Sequence, residues 1–357
     1  MLTIKEREYE LINKLKKNKA PIYIYGAGYY AKKYILELEK NNIIISGIII
    51  DDHYLDESII QEIRYPIICL SQFLNNDIYM DSQIIVAFFK FTQTQYKILK
   101  QITSNIYFYD FSCVALFKYD YEYIMNNFDR IVNVYNKLKD KKSKVLLEAY
   151  INQRISGNTN YCKELVIKHR YYPKEIIQFE DNEIFVDCGA FDGDSINEFL
   201  EILEEQKIKK YTHIYALEPD SSNFKKLKTL PIKNITYINK GAYSYSGNIS
   251  FSGDQGKSSS IDVDSNNISK IEVDKLDNMI DQKVTFIKMD IQGAEEEALK
   301  GGINLLKKFK PKLSICIAHR PQDIFIIIEF LESLNLQYEY YLTMGKTEYS
   351  DLCLIAR

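Results

Sequence analysis

The sequence predicts an α/β protein with two domains, each built around a largely parallel β-sheet, joined by a helical connector. The chain has 357 residues, more than one hydrophobic core usually organises. Short apolar runs alternate with amphipathic segments over 1–118 and again over 173–357, which is typical of parallel sheets covered by helices. Over 119–172 the strand pattern disappears. We therefore predict domains at 1–118 and 173–357 and a connector at 119–172.

Composition excludes several classes of protein. Hydrophobic residues make up 46% of the chain and charged residues 27%, as in soluble globular proteins. A net charge of -3 predicts no nucleic-acid partner, because nucleic-acid binding depends on a basic surface. The N-terminus is too charged for a signal peptide, and no apolar run reaches the ~20 residues of a membrane span. A cytoplasmic location is therefore expected.

The six cysteines form no CxxC pair, so neither a zinc knuckle nor a disulfide framework is predicted. No HExxH or Asp-rich calcium-loop motif is present either. The sequence alone predicts no metal site.

The first domain begins like a Rossmann-type unit. The apolar run 22–25 leads into the turn GAGYYA and an amphipathic segment, and Asp51 follows Gly26 by 25 residues. This arrangement fits a nucleotide site loosely, since Gly26 and Gly28 permit a tight turn and an acid after the second strand binds ribose in such folds. A second candidate site, for a nucleotide or nucleotide-sugar, is thus Gly26, Gly28 and Asp51. A purely structural corner is the open alternative. Four further strands are predicted at 43–52, 66–70, 82–89 and 105–110.

The connector is predicted to be helical. Ile124, Phe128, Ile131, Tyr135 and Leu138 recur at the spacing of one helix face. The lysine-rich segment 139–144 is interpreted as a solvated turn between two helices.

Seven strands are predicted in the second domain, enough for a complete sheet. They lie at 183–188, 213–218, 235–240, 284–290, 312–318, 338–342 and 351–356. No convincing helix separates the last two, so the final strand is expected to pair antiparallel at the end of a mixed sheet.

Acidic residues end three of these strands. Asp187 precedes the glycine turn of DCGAFDGDS, where Asp194 and Ser195 are expected to cap the next helix. Glu218 ends the following strand, roughly where an acid binds ribose, and Asp290 ends a later buried strand. Because ligands of open α/β sheets bind at the carboxyl ends of strands, we expect the three acids to converge on one crevice. The carboxylate of Asp187 would suit the amine of an amino-acid-like cofactor.

His319 lies just beyond another buried strand, in CIAHRPQDI. A neutral imidazole there is a candidate general base for a hydroxyl proton, or it orients substrate. The alternative is a histidine bonded to the backbone at a helix entry. The other histidines, at 53, 169 and 213, are interpreted as structural or surface residues.

Together, VDCGAFDGDS, YALEPD, FIKMDIQGAE, CIAHRPQDI and the closing DLCLIAR resemble the FkbM family of methyltransferases, over about residues 170–357. The resemblance implies a class I methyltransferase fold that binds S-adenosylmethionine. It implies methyl transfer to a hydroxyl, less often an amine, of a sugar, glycan or related small molecule.

The resemblance also assigns roles. Asp187 and the glycine loop would hold the methionine side of the cofactor, Glu218 its ribose, and Asp290 would face the reacting centre. The remaining cofactor-binding residues expected are Gly189, Ala190, Phe191, Asp192, Gly193, Asp194, Ser195, Pro219 and Gln292. The family usually has Glu at the position of Gln292, so polar positioning is the role expected there. Residues 253–261 resemble the family's serine-containing loop near the cofactor.

Two other functions stay open at this stage. An NAD-linked oxidoreductase would work from the first glycine loop and should carry a catalytic constellation such as YxxxK or a Cys–His pair, but no convincing one accompanies the loop. A non-catalytic nucleotide-sugar-binding protein would use the same loop without chemistry.

Overall fold

In the computed structural model, residues 1–54, 63–88, 91–110, 119–252, 268–345 and 351–357 are described. The chain divides into two compact units. The first comprises mainly Met1–Phe128 and Glu148–Leu165, and the second mainly Asp129–Leu147 and Val166–Gly345, with Asp351–Arg357. Within the described ranges, no helix combines the length and the apolar character needed to cross a membrane.

The first unit contains a five-stranded parallel sheet in the order β3-β2-β1-β4-β5. Its strands are β1 (Ile22–Tyr25), β2 (Gly47–Ile50), β3 (Ile67–Cys69), β4 (Gln83–Val86) and β5 (Ile106–Tyr107), and its helices are α1 (Glu10–Lys17), α2 (Tyr29–Lys40), α3 (Leu70–Leu74) and α4 (Gln93–Leu99). Short 3-10 turns occupy Asp52–Tyr54 and Asp77–Tyr79. β1, β2 and β4 are buried throughout, as expected for strands covered on both faces. The strand order reverses between β1 and β4, which is the doubly wound, Rossmann-like arrangement.

The connector is helical, but its predicted single helix face belongs to two helices. They are α5 (Tyr121–Asn126) and α6 (Phe128–Lys137), followed by α7 (Lys141–Ser156) and a 3-10 turn at Thr159–Tyr161. Asn127 ends α5 and donates from its side chain to the carbonyl of Tyr123. Asp140 accepts the amide hydrogen of Ser143, so most of the lysine-rich segment forms the first turn of α7 rather than a loop.

The second unit contains a seven-stranded mixed sheet in the order β14-β15-β13-β12-β6-β7-β8. Its strands are β6 (Glu183–Cys188), β7 (Tyr211–Leu217), β8 (Ile235–Ile238), β12 (Phe286–Met289), β13 (Lys312–Cys316), β14 (Tyr340–Met344) and β15 (Leu352–Ala356). The helices that accompany them are α8 (Asp194–Glu205), α9 (Ser221–Leu227), α10 (Leu276–Met279), α11 (Glu295–Lys300), α12 (Ile303–Phe309) and α13 (Asp323–Ser333).

The last strand differs in place from the prediction. β15 is antiparallel, as expected, but it pairs with both β13 and β14 and so lies inside the sheet. The edge is β14. All five residues of β14 and all five of β15 are buried, so burial alone does not distinguish the edge strand from its neighbour.

A small second sheet in this unit was not predicted. It consists of β9 (Gly241–Ala242), β10 (Gly247–Ser252) and β11 (Ile268–Asp274), in the order β10-β11-β9. The loop at 253–261 that resembles a family feature lies outside the described residues.

Buried aromatic rings form much of the core beside the central strands. Phe185 on β6, Phe286 on β12 and Phe199 on α8 lie together with Tyr172 and Phe179, with ring centroids 4.6–6.4 Å apart. Such contacts anchor β6 and β12, the two strands from which the candidate site projects.

Candidate active site

The glycine loop after β6 is wedged between the ends of two neighbouring strands. The amides of Gly189 and Ala190 donate to the carbonyl of Leu217 on β7, at 3.0 and 2.9 Å. Gly189 has a φ of +81°, and a Cβ there would lie 2.2 Å from the main-chain oxygen of Asp290. Only glycine fits this close approach. Phe191 also adopts a positive φ, +49°.

The register of the sheet decides which acids flank this loop. Cys188 pairs with Leu217 on one side and Met289 on the other. The next residue is Gly189 after β6, Glu218 after β7 and Asp290 after β12. Glu218 and Asp290 therefore border the first residue of the loop. Asp187 lies in the row before, opposite Lys288 and Ala216, so the sheet brings two of the three predicted acids to the loop's edge.

Asp187 is buried and is bound by side chains of the protein itself. Its side chain is 0% exposed and that of its ion-pair partner Lys288 is 3% exposed, with Oδ1 and Nζ 3.0 Å apart. Its other oxygen accepts from the hydroxyl of Ser195, and Lys288 also donates to the carbonyl of Gly189 at 2.8 Å. Burial raises the pKa of Asp187 despite Lys288 and Ser195. This carboxylate therefore ties the loop to β12 and α8, rather than lying open to a cofactor amine.

The predicted helix cap is wrong by one or two residues. The capping position of α8 is Gly193, with a φ of +91° and no side-chain cap, and Asp194 is the first helical residue. Because φ is positive at the cap, a glycine is favoured there. Asp194 accepts the amide hydrogen of Ser195. The Ser195 hydroxyl donates to Asp187 and does not cap the helix. Ala190 in this loop is buried and Asp192 exposed.

Glu218 holds the outer side of the loop. Its Oε2 accepts the amide hydrogen of Phe191 at 2.9 Å, and its Oε1 that of Asp220 at 2.9 Å. The residue is 6% exposed. Burial raises the pKa of the carboxyl, although these two amide bonds oppose the shift. Pro219, beside it, is half-buried. The ribose-type acid and the glycine loop are thus one hydrogen-bonded unit.

Asp290 is surrounded by donors. The hydroxyl of Tyr171 donates to its Oδ2, and Arg170 lies 3.6 Å from the same oxygen. Its Oδ1 faces His319 Nε2 at 3.2 Å and Gln292 Nε2 at 3.4 Å. Burial opposes ionisation, but His319, Lys288 and Arg170 together hold the pKa of Asp290 well below its usual range. Gln292 therefore acts as a polar neighbour of this carboxylate.

His319 is held between two carboxylates. Its Nδ1 lies 3.0 Å from Glu295 Oε1, and its Nε2 faces Asp290 and, at 3.9 Å, the sulfur of Cys316. Burial lowers the pKa of His319, but Cys316, Glu295 and Asp290 outweigh it and raise the pKa well above the ordinary value. This environment disfavours the predicted general base, because both ring nitrogens already have acidic partners. The alternative of a backbone-bonded histidine is not what the structure shows either.

Five residues of the site were not predicted from the sequence: Arg170, Tyr171, Lys288, Glu295 and Cys316. Lys288 had a signal, because a lysine two residues before Asp290 inside an apolar strand shares a face with it. Arg170 and Tyr171 had none, since they precede the domain's first strand. Arg170 donates to the Tyr171 hydroxyl at 2.7 Å and pairs with Asp351 at 3.0 Å.

The glycine turn of the first unit is a tight corner. Gly26 has a φ of +111°, and a Cβ there would contact Phe88 and the carbonyl of Ala87 at 3.0 and 3.3 Å. Gly28, at the start of α2, has nothing within 4 Å of such a Cβ. The carboxylate of Asp51 accepts from the hydroxyl of Tyr25 at 2.5 Å. Packing thus accounts for Gly26, while Gly28 leaves room for a ligand.

Comparison with known proteins places the second unit. Residues 187–340 match the family model of the methyltransferase FkbM domain. A methyltransferase FkbM from Methylobacillus flagellatus KT is similar in structure over 98% of this chain and 94% of its own, with 20% identity and a TM-score of 0.73. This likeness shows a shared fold across both units. No curated protein sequence matches the chain.

Two further solved structures overlap about half of the chain. An rRNA methylase from Streptococcus thermophilus covers 53% of this chain and 91% of its own at 14% identity, with a TM-score of 0.33. SMU.1697c of Streptococcus mutans, in complex with SAH, covers 53% and 94% at 13% identity, with a TM-score of 0.32. The family match and the fold agree: residues 187–340 match the methyltransferase FkbM domain, and the chain shares its fold with a solved methyltransferase FkbM.

Proposed function

We propose that the chain transfers a methyl group from S-adenosylmethionine to a hydroxyl of a sugar, glycan or related small molecule, with an amine as the lesser alternative. The observation that carries the proposal is the 2.9 Å hydrogen bond from the Phe191 amide to Glu218. It joins the glycine loop and the ribose-type acid at the carboxyl ends of adjacent parallel strands, where nucleotides bind in such sheets.

The loop fits the proposed methyl donor. Gly189 leaves no room for a side chain, so the backbone of the loop itself forms the wall of the cradle. Each oxygen of Glu218 accepts one amide hydrogen, and a carboxylate oxygen has capacity for a second donor. Ribose hydroxyls would supply those donors. When bound, the donor supplies an electrophilic methyl on a sulfonium, and the loop and Glu218 would fix its position.

Asp187 would act on the donor indirectly. With Lys288 and Ser195 on its two oxygens, it would fix the loop rather than contact the methionine amine. Ala190, Gly193, Asp194 and Pro219 would shape the same wall, and Asp192 would lie at its exposed rim.

Asp290, His319 and Arg170 would orient the acceptor. Each keeps 16–19% of its side chain exposed at the edge of the site, and together they offer both hydrogen-bond donors and acceptors. A polyhydroxylated acceptor would suit this surface, because its hydroxyl groups can both donate and accept hydrogen bonds. Sites that bond hydroxyl groups in this way also reject analogues that lack them. Much of the rate acceleration would come from holding the acceptor oxygen in line with the methyl group. The family resemblance supports a hydroxyl acceptor.

Calorimetry with S-adenosylhomocysteine and with NAD tests the cofactor. We expect S-adenosylhomocysteine to bind, and we expect Glu218→Ala to lower its affinity about 10–100-fold. The reason is that a hydrogen bond to a charged group is worth about 1.5–3 kcal/mol. Glu201→Ala, on the exposed face of α8, is the matched control and should bind like the parent chain.

Melting curves of both variants must first show that they fold. Binding of NAD with no response to S-adenosylhomocysteine would instead favour the alternatives that use Gly26, Gly28 and Asp51. Equal affinity in the parent and Glu218→Ala chains would remove Glu218 from the site.

A further inference from the structure

Three side chains of different chemistry meet beside the glycine loop. A carboxylate oxygen of Asp290, the sulfur of Cys316 and a ring nitrogen of His319 all lie within 4.8 Å of one another. The closest pair is Asp290 Oδ1 and His319 Nε2 at 3.2 Å, and His319 Nε2 lies 3.9 Å from the sulfur. Ligand atoms about 2.0–2.3 Å from a tetrahedral zinc ion lie some 3–4 Å from each other. The two pairs that include His319 Nε2 already have that spacing, and the third pair lies within 4.8 Å.

Two of these three side chains, His319 and Asp290, are oriented by partners on the side away from the cluster. His319 presents Nε2 to the cluster because Nδ1 is bound to Glu295, whose side chain is 0% exposed. Asp290 presents Oδ1 because Tyr171 and Arg170 hold Oδ2. Metal-binding histidines and carboxylates are commonly fixed in this way by outer hydrogen bonds. A histidine that merely fills space needs no such carboxylate behind it.

Cys316 completes the set from a neighbouring strand. It is 1% exposed at the end of β13, directly opposite Cys353 of β15. The sulfur thus projects from the fixed end of a central strand and not from a loop. His319 and Asp290 keep 16% and 19% of their side chains exposed, which leaves a path for an ion from solvent.

We propose that Asp290, Cys316 and His319 bind a zinc-type divalent cation through Oδ1, Sγ and Nε2. One oxygen, one sulfur and one nitrogen ligand favour a borderline-soft ion such as Zn²⁺ over Mg²⁺ or Ca²⁺, which prefer oxygen alone. Three protein ligands leave a fourth position for water or a substrate oxygen, the pattern of a reactive zinc site.

Binding would release protons. The thiol of Cys316 loses its proton to form the thiolate, and the hydrogen that His319 Nε2 directs at Asp290 is displaced by the ion. The Glu295 bond at Nδ1 is kept. The inference goes beyond the proposed function, because it concerns metal binding and stands whatever the acceptor is.

Metal titration of the full chain tests this. After treatment with a chelator and desalting, we expect the protein to bind one Zn²⁺ per chain by calorimetry and elemental analysis, with Mg²⁺ failing to compete. Substitution with Co²⁺ should give a thiolate-to-cobalt charge-transfer band. That readout needs no variant.

Variants identify the ligands. Cys316→Ser and His319→Ala should each weaken Zn²⁺ more than the roughly 10–100-fold expected for Glu295→Gln, an outer partner. Cys69→Ser and His213→Ala, which lie outside the cluster, are the matched controls and should bind like the parent chain.

No zinc uptake, a cobalt complex without the thiolate band, or unchanged affinity in both Cys316→Ser and His319→Ala would overturn the proposal. Affinity for S-adenosylhomocysteine is measured on the same samples. A chain that binds this nucleoside but no zinc refutes the metal site and leaves the proposed function standing, while the reverse result refutes the function alone.

Discussion

Replacing Lys288 with methionine is expected to destabilise the second unit by about 3–5 kcal/mol, the usual cost of removing one partner from a buried ion pair. Its ammonium and the carboxylate of Asp187 are 3.0 Å apart, with side chains 3% and 0% exposed. Without Lys288, the Asp187 carboxyl would stay buried with Ser195 as its partner. The carbonyl of Gly189 would lose its donor as well. Urea unfolding followed by tyrosine fluorescence and circular dichroism measures the change.

A double variant separates the cost of leaving one buried charge unpaired from the cost of changing the packing of the side chains. Asp187→Asn with Lys288→Met removes both charges, so we expect it to recover at least half of the lost stability, since an unpaired buried charge is the main penalty. Lys283→Met, at an exposed position just before β12, should stay within about 0.5 kcal/mol of the parent. If Lys288→Met and the parent chain have the same midpoint of urea unfolding, the ion pair does not stabilise the glycine loop.

Gly189→Ala is expected to abolish measurable binding of S-adenosylhomocysteine and to cost at least about 2 kcal/mol of stability. A positive φ alone costs a non-glycine residue roughly 1–3 kcal/mol. Here φ is +81° and the new Cβ would lie 2.2 Å from the backbone oxygen of Asp290. Because that neighbour is main chain, the loop or the end of β12 must shift. Calorimetry gives the affinity and urea unfolding gives the stability.

Gly28→Ala is the matched control in the other glycine turn. Its Cβ would have nothing within 4 Å, so stability should change by no more than about 1 kcal/mol and S-adenosylhomocysteine affinity not at all. An equal loss of affinity in Gly28→Ala and Gly189→Ala would mean that the two turns do not differ as described. A Gly189→Ala chain that binds normally would exclude the loop from the site.

The strands of the two large sheets were predictable because most are short apolar runs, and β1, β2, β6, β7 and β12 are each followed directly by a glycine or an acidic residue. The place of β15 was not, since pairing with β13 or with an edge depends on which strand the chain returns to. The sheet formed by β9, β10 and β11 was missed because β9 has only two residues and because β10 and β11 mix apolar residues with many polar ones. The break at Asn127 was missed because apolar spacing continues through it.

In the site, the sequence located the acids but not their partners. Glu218 and Asp290 come directly after β7 and β12, one residue later than the last strand residue, and the register sets them on either side of Gly189. In the sequence, Asp187 resembles Glu218 and Asp290. In the structure it lies one row earlier in the sheet, where it is buried opposite Lys288. The partners of His319 are Asp290, Glu295 and Cys316, and the first two come from a separate stretch of chain. A pattern of spacing cannot reveal that Glu295 and Cys316 face one imidazole.

The proposed function requires that the glycine loop and Glu218 form one binding site for the methyl donor. A crystal structure of the full chain with S-adenosylhomocysteine tests it most directly. We expect the ribose hydroxyls within hydrogen-bond distance of the Glu218 carboxylate and the homocysteine part against the backbone of residues 189–193. A ligand bound away from both, or at Gly26 and Gly28 instead, would contradict it.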